Sequence, residues 1–392
     1  MITKITNGRI VHPEGILEGY SLYFENGKIT ALTTEDLPWD KETDAGGNYV
    51  SPGFIDVHVH GGGGYDFMDG GANAIVNAAN FHLKTGTTSI MPTSLSCSTG
   101  VLEEFLKDLR QAKASEKLFG TILGAHLEGP YFSPNQAGAQ NPEYIIAPRC
   151  EDYERILRDF GDIICRWSFA PELAGGVEFC EALIHAGVYP SIAHSDAVFE
   201  DVRRVYDKGC QTVTHLYSGM STITRHNGYR RLGVIESAYL LDNMSVEIIA
   251  DGKHLPAELL KMIVKCKSPR NICLVTDAMR AAGTAVTQSF LGRKGEEIPC
   301  IIDDDVAKLP DGISFAGSVA TADRLVRTMV KEADLNVALA VSMITAVPAR
   351  LFGIAGKGFL QAGFDADILI FNENIEIKNI FSGGKEYGNP NL

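Results

Sequence analysis

The chain is short of positive charge, of clustered cysteine and of long apolar runs. Its 392 residues carry 35 Lys plus Arg against 49 Asp plus Glu, a formal net charge of −14. A general nucleic-acid or anionic-membrane binder needs a basic surface that replaces counterions, so the balance excludes that class and leaves room only for a local basic site for a small anion. The eight cysteines, at 97, 150, 165, 180, 210, 266, 273 and 300, contain no Cys-x-x-Cys pair. Several sit in apolar runs such as Asn271-Ile-Cys-Leu-Val275. They read as reduced core residues, not as a disulfide framework or zinc knuckle. No apolar stretch approaches the ~20 residues that span a bilayer, and Met1–Gly8 has no signal-like apolar core. A soluble cytoplasmic protein without a membrane or nucleic-acid partner is therefore expected. Repeats and low-complexity segments are also missing. What is there is an ordinary globular composition, 45% hydrophobic and 21% charged, enough to bury a sizeable core and to exclude extensive disorder.

Residues 1–51 show short alternating apolar runs, such as Ser21-Leu-Tyr-Phe24 and Lys28-Ile-Thr-Ala-Leu32 around Asn26-Gly27. Alternation plus such turn pairs reads as β-hairpins. The C-terminal end repeats the style in Ala366–Phe371 and Ile375–Ile380, followed by Gly383-Gly384. One small β-sandwich assembled from both termini, 1–51 with 352–392, is the expectation. Between them, short β-branched or apolar runs near 53–60, 87–93, 120–128, 163–170, 188–194, 210–216, 246–251 and 271–277 alternate with helical stretches such as Val101–Leu109. Eight such units over 52–351 predict an α/β fold, a (β/α)8 TIM-type barrel; a doubly wound open sheet competes, but usually has fewer parallel strands and a phosphate loop after the first.

Barrel chemistry sits at the C-terminal ends of the strands. The first strand ends Asp56-Val-His-Val-His60, and a side-chain period of two puts Asp56, His58 and His60 on one face. The third ends His126-Leu-Glu128, the fifth at His194, the sixth at His215 and the eighth at Asp277. Polar residues in a barrel interior are costly unless paired or coordinating. A lone His-x-His is a weak signal; joined by Glu128, His194, His215 and Asp277 at matching strand ends, it points to a metal centre. Imidazole and carboxylate donors suit zinc, iron or cobalt better than magnesium. His126 lies a pleat deeper than Glu128 and reads as a hydrogen-bonded core histidine. His12, His82 and His185 read as solvated or capping residues. Gly61–Gly64 does not fit Gly-x-Gly-x-x-Gly, because Asp66 takes the last position; the glycines are expected to let the loop pass close to the metals.

The segments Pro52–His60, His126-Leu-Glu-Gly-Pro130, Ala170-Pro-Glu172, Ala193-His-Ser195, Thr214-His-Leu-Tyr217, Ala250-Asp-Gly-Lys-His254 and Thr276-Asp-Ala-Met279 follow one another along the chain. Their order resembles that of the N-acetylglucosamine-6-phosphate deacetylases of the amidohydrolase superfamily, over nearly the whole chain. The resemblance implies a metal-bearing barrel with a small β-sandwich, a homodimer and an amino sugar phosphate as substrate. It also implies roles for single residues. Glu128, His194 and His215 match the ligands of the metal site common to the family. His58 and His60 match a second site that favours a binuclear centre, so one or two divalent ions, zinc or iron, are expected per chain. Asp277 matches the catalytic carboxylate, which also faces the metals, and His254 matches the histidine that meets the substrate near its carbonyl.

Three departures concern the substrate. Where the family continues with Asn-Ala-Met, this chain has Ser218-Gly219-Met220. The family's Arg-Glu-Pro-Gly segment, whose arginine holds the phosphate, is replaced by Thr224-Arg-His-Asn-Gly-Tyr-Arg-Arg231, and no single residue aligns with that arginine. A family Gly-Ala-His reads Gly138-Ala-Gln140. Ser218, Gly219, Arg225, His226, Arg230, Arg231, His254 and Gln140 are the candidate substrate contacts. The arginines could equally form a solvated loop. A different or unphosphorylated N-acetyl amino sugar and a cyclic-amide or dipeptide substrate are the alternative hydrolase readings. Relatives of the latter kind bridge two metals with a carboxylated lysine, whereas the corresponding strand here carries Glu128. A retired, non-catalytic sugar-binding barrel predicts missing ligands, and none is missing.

Overall fold

The computed structural model describes residues 1–388. Eight parallel strands form the central barrel: Phe54–Val59, Thr87–Pro92, a split third strand (Thr121–Ile122 and Ala125–Glu128), Ile164–Phe169, Tyr189–Ile192, Thr212–Val213, Ser245–Ile248 and Ile272–Leu274. The split third strand pairs its first half with the second strand and its second half with the fourth. The ring closes where Asp277 N donates to His58 O (2.9 Å) and His60 N to Ala278 O (2.8 Å). Helices cover the outside by burying one stripe each. In Thr99–Lys113, Ser98 caps the N-terminus by accepting from Val101 N, while Leu102, Phe105, Leu106 and Leu109 face the barrel.

Two sheets form the β domain. One orders Lys28–Thr33, Ser21–Glu25, Thr3–Thr6 and Lys41–Asp44; the other orders Lys385–Gly388, Ile377–Ser382, Ile368–Phe371, Tyr49–Pro52, Arg9–His12 and Gly15–Leu17. Strands from both ends of the chain thus share one sheet, around a core that includes Ile5, Leu22, Phe24, Val50, Ile368 and Phe381. The Asn26-Gly27 turn places both residues at positive φ (50° and 79°), which the twist of a two-residue hairpin requires.

Several features depart from the sequence reading. A four-stranded antiparallel sheet, Gln288–Leu291, Ile298–Asp303, Val306–Lys308 and Phe315–Ser318, is inserted after the eighth barrel strand. Its last strand is tied to that strand's end, Ser318 N donating to Asp277 O (2.7 Å) and Met279 N to Ser318 O (2.9 Å). Cys150 and Cys266 are exposed, so not every cysteine is a core residue. His82 is fully buried rather than solvated, and its Nε2 donates to the Gly61 carbonyl (2.8 Å). Burial holds this imidazole neutral, pulled down to about 4.

In the glycine run after His60, Gly62 and Gly63 lie against the helix Ala72–Leu83. A Cβ on Gly62 would lie 2.5 Å from Phe81 Cδ1 and 2.7 Å from His82 Nε2. Close packing on that helix, and not passage beside a metal, is what Gly62 serves. Gly62→Ala is expected to destabilise the protein by about 1–3 kcal/mol, the usual range for overpacking. Urea unfolding with an unchanged m-value measures it.

Candidate active site

The candidate side chains sit on abrupt turns at the strand ends. His194 (φ 44°), His215 (φ 29°), Tyr217 (φ 81°) and Asp277 (φ 48°) all have left-handed backbone. Such conformations cost about 1–3 kcal/mol each and persist where the surroundings over-determine them. Gly219 (φ 58°) completes this lining. A Cβ there would sit 2.7 Å from His194 Nδ1, so the missing side chain lets the backbone rest on the imidazole.

Six groups from five strands converge. His58 Nε2 lies 3.3 Å from His60 Nε2, 3.3 Å from Asp277 Oδ1 and 3.4 Å from Glu128 Oε1. His60 Nε2 lies 3.2 Å from Asp277 Oδ1 and 3.3 Å from Glu128 Oε2. Tetrahedral ligands at about 2.0–2.1 Å from a zinc-sized ion stand about 3.3–3.4 Å apart. The spacing within this quartet is that of a coordination shell. Glu128 Oε1 is also 3.0 Å from His215 Nε2 and 3.4 Å from His194 Nε2. Glu128 therefore stands between two groups of donors, and the donor set fits one or two divalent cations.

The electrostatics agree. Burial by itself depresses His58, but the Glu128 and Asp277 carboxylates overcome it and raise the imidazole to about 9. Burial likewise opposes the proton on His60, yet hydrogen bonds to Asp277 and Glu128 bring it to about 10. Glu128 is held well below the carboxylate range: burial pushes it up, and His58, His194 and His215 more than offset that. Protons thus supply, in the free protein, the positive charge that two buried carboxylates demand.

A surrounding layer fixes these groups. A carbonyl only accepts, so His194 Nδ1 donates to Gln136 O (2.7 Å) and turns its Nε2 lone pair toward Glu128. Asp196 anchors that loop by accepting from Ser133, Asn135 and Gln136 side chains. Asp251 accepts from His254 Nδ1 (2.8 Å) and from the backbone N–H of Lys253 and His254, leaving Nε2 as the free edge of the ring. His126 is a core residue, with Nε2 on Ser168 Oγ (2.8 Å) and Nδ1 on Thr93 Oγ1 (3.2 Å).

A cavity of about 340 Å³ opens over this cluster, lined by His60, Glu128, His194, His215, His254 and Asp277, with Leu95, Gln140, Tyr217, Ser218, Gly219, Leu291 and Phe315. Gln140 reaches it but is committed: Nε2 donates to Glu128 Oε2 (2.8 Å) and Oε1 accepts from Ser96 N (2.8 Å). It positions Glu128 rather than offering a free amide to substrate. Arg225, His226, Arg230 and Arg231 are exposed on the hairpin Thr224–His226/Tyr229–Arg231, and none lines the cavity. A short two-stranded ribbon points these side chains at solvent. Sequence reading missed Asp196, Asp251, Arg166 and Glu247. The last two were signalled by a charge inside the short strands Ile164–Phe169 and Ser245–Ile248.

Because His58 and His60 keep their protons below about 9 and 10, a cation binding at pH 7 must displace them. Calorimetric titration of metal-free protein in buffers of different ionisation enthalpy is expected to show about two protons released at pH 7, with the release fading as pH rises past 10. A buffer-independent enthalpy contradicts it.

Residues 49–391 match the amidohydrolase family. An N-acetylglucosamine-6-phosphate deacetylase of Lysinibacillus sphaericus is 30% identical over 97% of this chain and 96% of its own. An N-acetylgalactosamine-6-phosphate deacetylase of Escherichia coli O157:H7 is 28% identical over 96% and 97%. The crystal structure of N-acetylglucosamine-6-phosphate deacetylase from Pasteurella multocida superposes with a TM-score of 0.91 at 26% identity, covering 99% of this chain and all of that one. By this agreement of fold, strand-end chemistry and sequence, the chain belongs to the amidohydrolase family, among its N-acetylglucosamine-6-phosphate deacetylases.

Proposed function

We propose that the protein hydrolyses the acetamide of an N-acetylhexosamine 6-phosphate, N-acetylglucosamine 6-phosphate foremost, giving the amino sugar phosphate and acetate. The observation that carries this reading is the convergence of His60, Glu128, His194, His215 and Asp277 at one cavity, with His58 buried against them and His254 on the cavity wall. The superfamily is metal-dependent, and these donors suit one or two zinc or iron ions: Glu128, His194 and His215 at one site, His58 and His60 at the other, with Asp277 facing the pair. When bound, such ions polarise a carbonyl and lower the pKa of water from 15.7 to about 7.

The chain's own residues do the rest. Asp277, set between the two imidazoles of the first strand, accepts a proton from the attacking water and passes it to the departing nitrogen. His254, its Nδ1 held by Asp251, meets the carbonyl oxygen with Nε2 as negative charge develops there. Leu95, Leu291 and Phe315 supply apolar wall, and Ser218 and Gly219 border the sugar. Arg225, Arg230 and Arg231, exposed on a hairpin outside the cavity, are the cationic side chains that this reading assigns to the phosphate. A homodimer is part of this proposal, and light scattering measures it.

Asp277→Asn is expected to keep its metal and to lose about 10²–10⁴-fold in turnover; metal content and acetate release check both halves, and near-normal turnover overturns the assignment. Acetate release from N-acetylglucosamine, its 6-phosphate and the galactosamine isomers tests the substrate. The phosphorylated sugars are expected to win, and exhaustive chelation to abolish activity until zinc or iron is restored. Equal efficiency with and without phosphate dismisses the arginine hairpin, full activity after chelation dismisses the metal centre, and preference for the galactosamine isomer transfers the reading to the Escherichia coli relative's substrate.

A further inference from the structure

Beneath the donor cluster the barrel holds a charged pair that the reaction does not use. Arg166 of the fourth strand and Glu247 of the seventh are both fully buried and ion-paired, Nη1 to Oε1. The guanidinium also donates to Ser191 Oγ (3.0 Å), Thr214 Oγ1 (2.9 Å) and Val57 O (3.4 Å), and its face lies 4.9 Å from the Phe352 ring centroid. Barrel interiors are normally filled with branched apolar side chains, and a buried ion pair is weak evidence for stability. The pair calls for another explanation.

The other oxygen of Glu247 supplies it. Oε2 points at His58 Nδ1 from 3.7 Å, and each of these two buried atoms lacks any other hydrogen-bond partner. The gap exceeds a hydrogen bond by only about 0.5 Å. We infer that Glu247, locked in place by Arg166, is the positioning residue that keeps the proton of His58 on Nδ1 and so presents Nε2 as an unprotonated donor to the ion held with His60. The inference rests on the ligand set proposed above and assigns to this pair the occupancy of the His58/His60 site in particular. Glu128, His194 and His215 form no side-chain hydrogen bond or ion pair with either member of it; His194 is instead oriented by the Gln136 carbonyl.

The division of labour follows from donor and acceptor counts. Arg166 presents only donors, so whatever faces it must accept; Glu247 has a second acceptor left over for His58. A glutamine at 247 has one oxygen. Turned toward Arg166, it offers its NH₂ to His58 Nδ1, drives the proton to Nε2 and removes the ligand without altering shape. Carboxylate partners of metal-bound histidines are typically worth 10–100-fold in metal affinity.

The test compares zinc-loaded wild type, Glu247→Gln and Ser191→Ala by ions per chain after chelator competition, and by ¹⁵N shifts of His58. Wild type and Ser191→Ala, which loses one Arg166 contact but keeps the carboxylate, are expected to retain two ions. Glu247→Gln is expected to retain one, its second ion weakened 10–100-fold, with His58 protonated on Nε2. Should Glu247→Gln not fold, Arg166→Met combined with Glu247→Leu replaces the buried pair by apolar groups and is expected to show the same selective loss. Equal retention of two ions by wild type and the Glu247 variants overturns the inference, as does an equal loss in Ser191→Ala. Fewer than two ions in wild type overturns the two-ion reading itself.

Discussion

The structure is organised around a concentration of charge that cannot stand alone. Glu128 and Asp277 are buried at the barrel mouth with four imidazole edges packed around them at 3.0–3.4 Å. Two carboxylates removed from water need compensating positive charge, and burying them without it would be prohibitive. In the free chain, protons on His58 and His60 provide it. The same atoms are spaced as ligands of a small cation, so protons and metal compete for one cluster. A metal-dependent hydrolase and a protein that folds without its metal are both consistent with that arrangement.

The barrel makes this concentration tolerable by placing each group at the end of a separate strand and by fixing its far side. Left-handed turns at His194, His215 and Asp277 aim side chains at the axis instead of along the strand. Below them, Arg166 and Glu247 add no net charge, Ser191 and Thr214 accept from the guanidinium, and Ser168 pairs with Thr214. The inserted sheet, anchored by Ser318 to Asp277, brings Phe315 onto the cavity wall. The Asp277 carboxylate and the apolar wall are therefore held by the same two segments.

Much of this was legible along the chain, for physical reasons that differ from part to part. The barrel strands showed because parallel strands buried on both faces read as continuous apolar runs. The donors showed because a histidine or acid at the end of such a run has no cheap structural explanation. The inserted sheet did not show: its strands are short and partly exposed, and their pairing is antiparallel among themselves. His82 was misread because a polar residue on a helix reads as solvated; Asn73, Asn77 and Asn80 share one face of that helix, and His82 lies on the opposite face with Ile75, Ala78 and Ala79, packed under Gly61. Gln140 and the arginine hairpin were grouped as substrate contacts by position, yet one is spent on Glu128 and the other stands clear of the cavity.

By itself the sequence determined which residue types are available and at which strand ends, because strand periodicity and the cost of buried polar groups are local rules. The tertiary structure alone decided their pairings. Whether Glu128 lies between two donor groups, which oxygen of Glu247 is left for His58, and which side chains reach the cavity all depend on distances between strands far apart in the chain. Those distances are set by how the barrel closes, which no local pattern encodes.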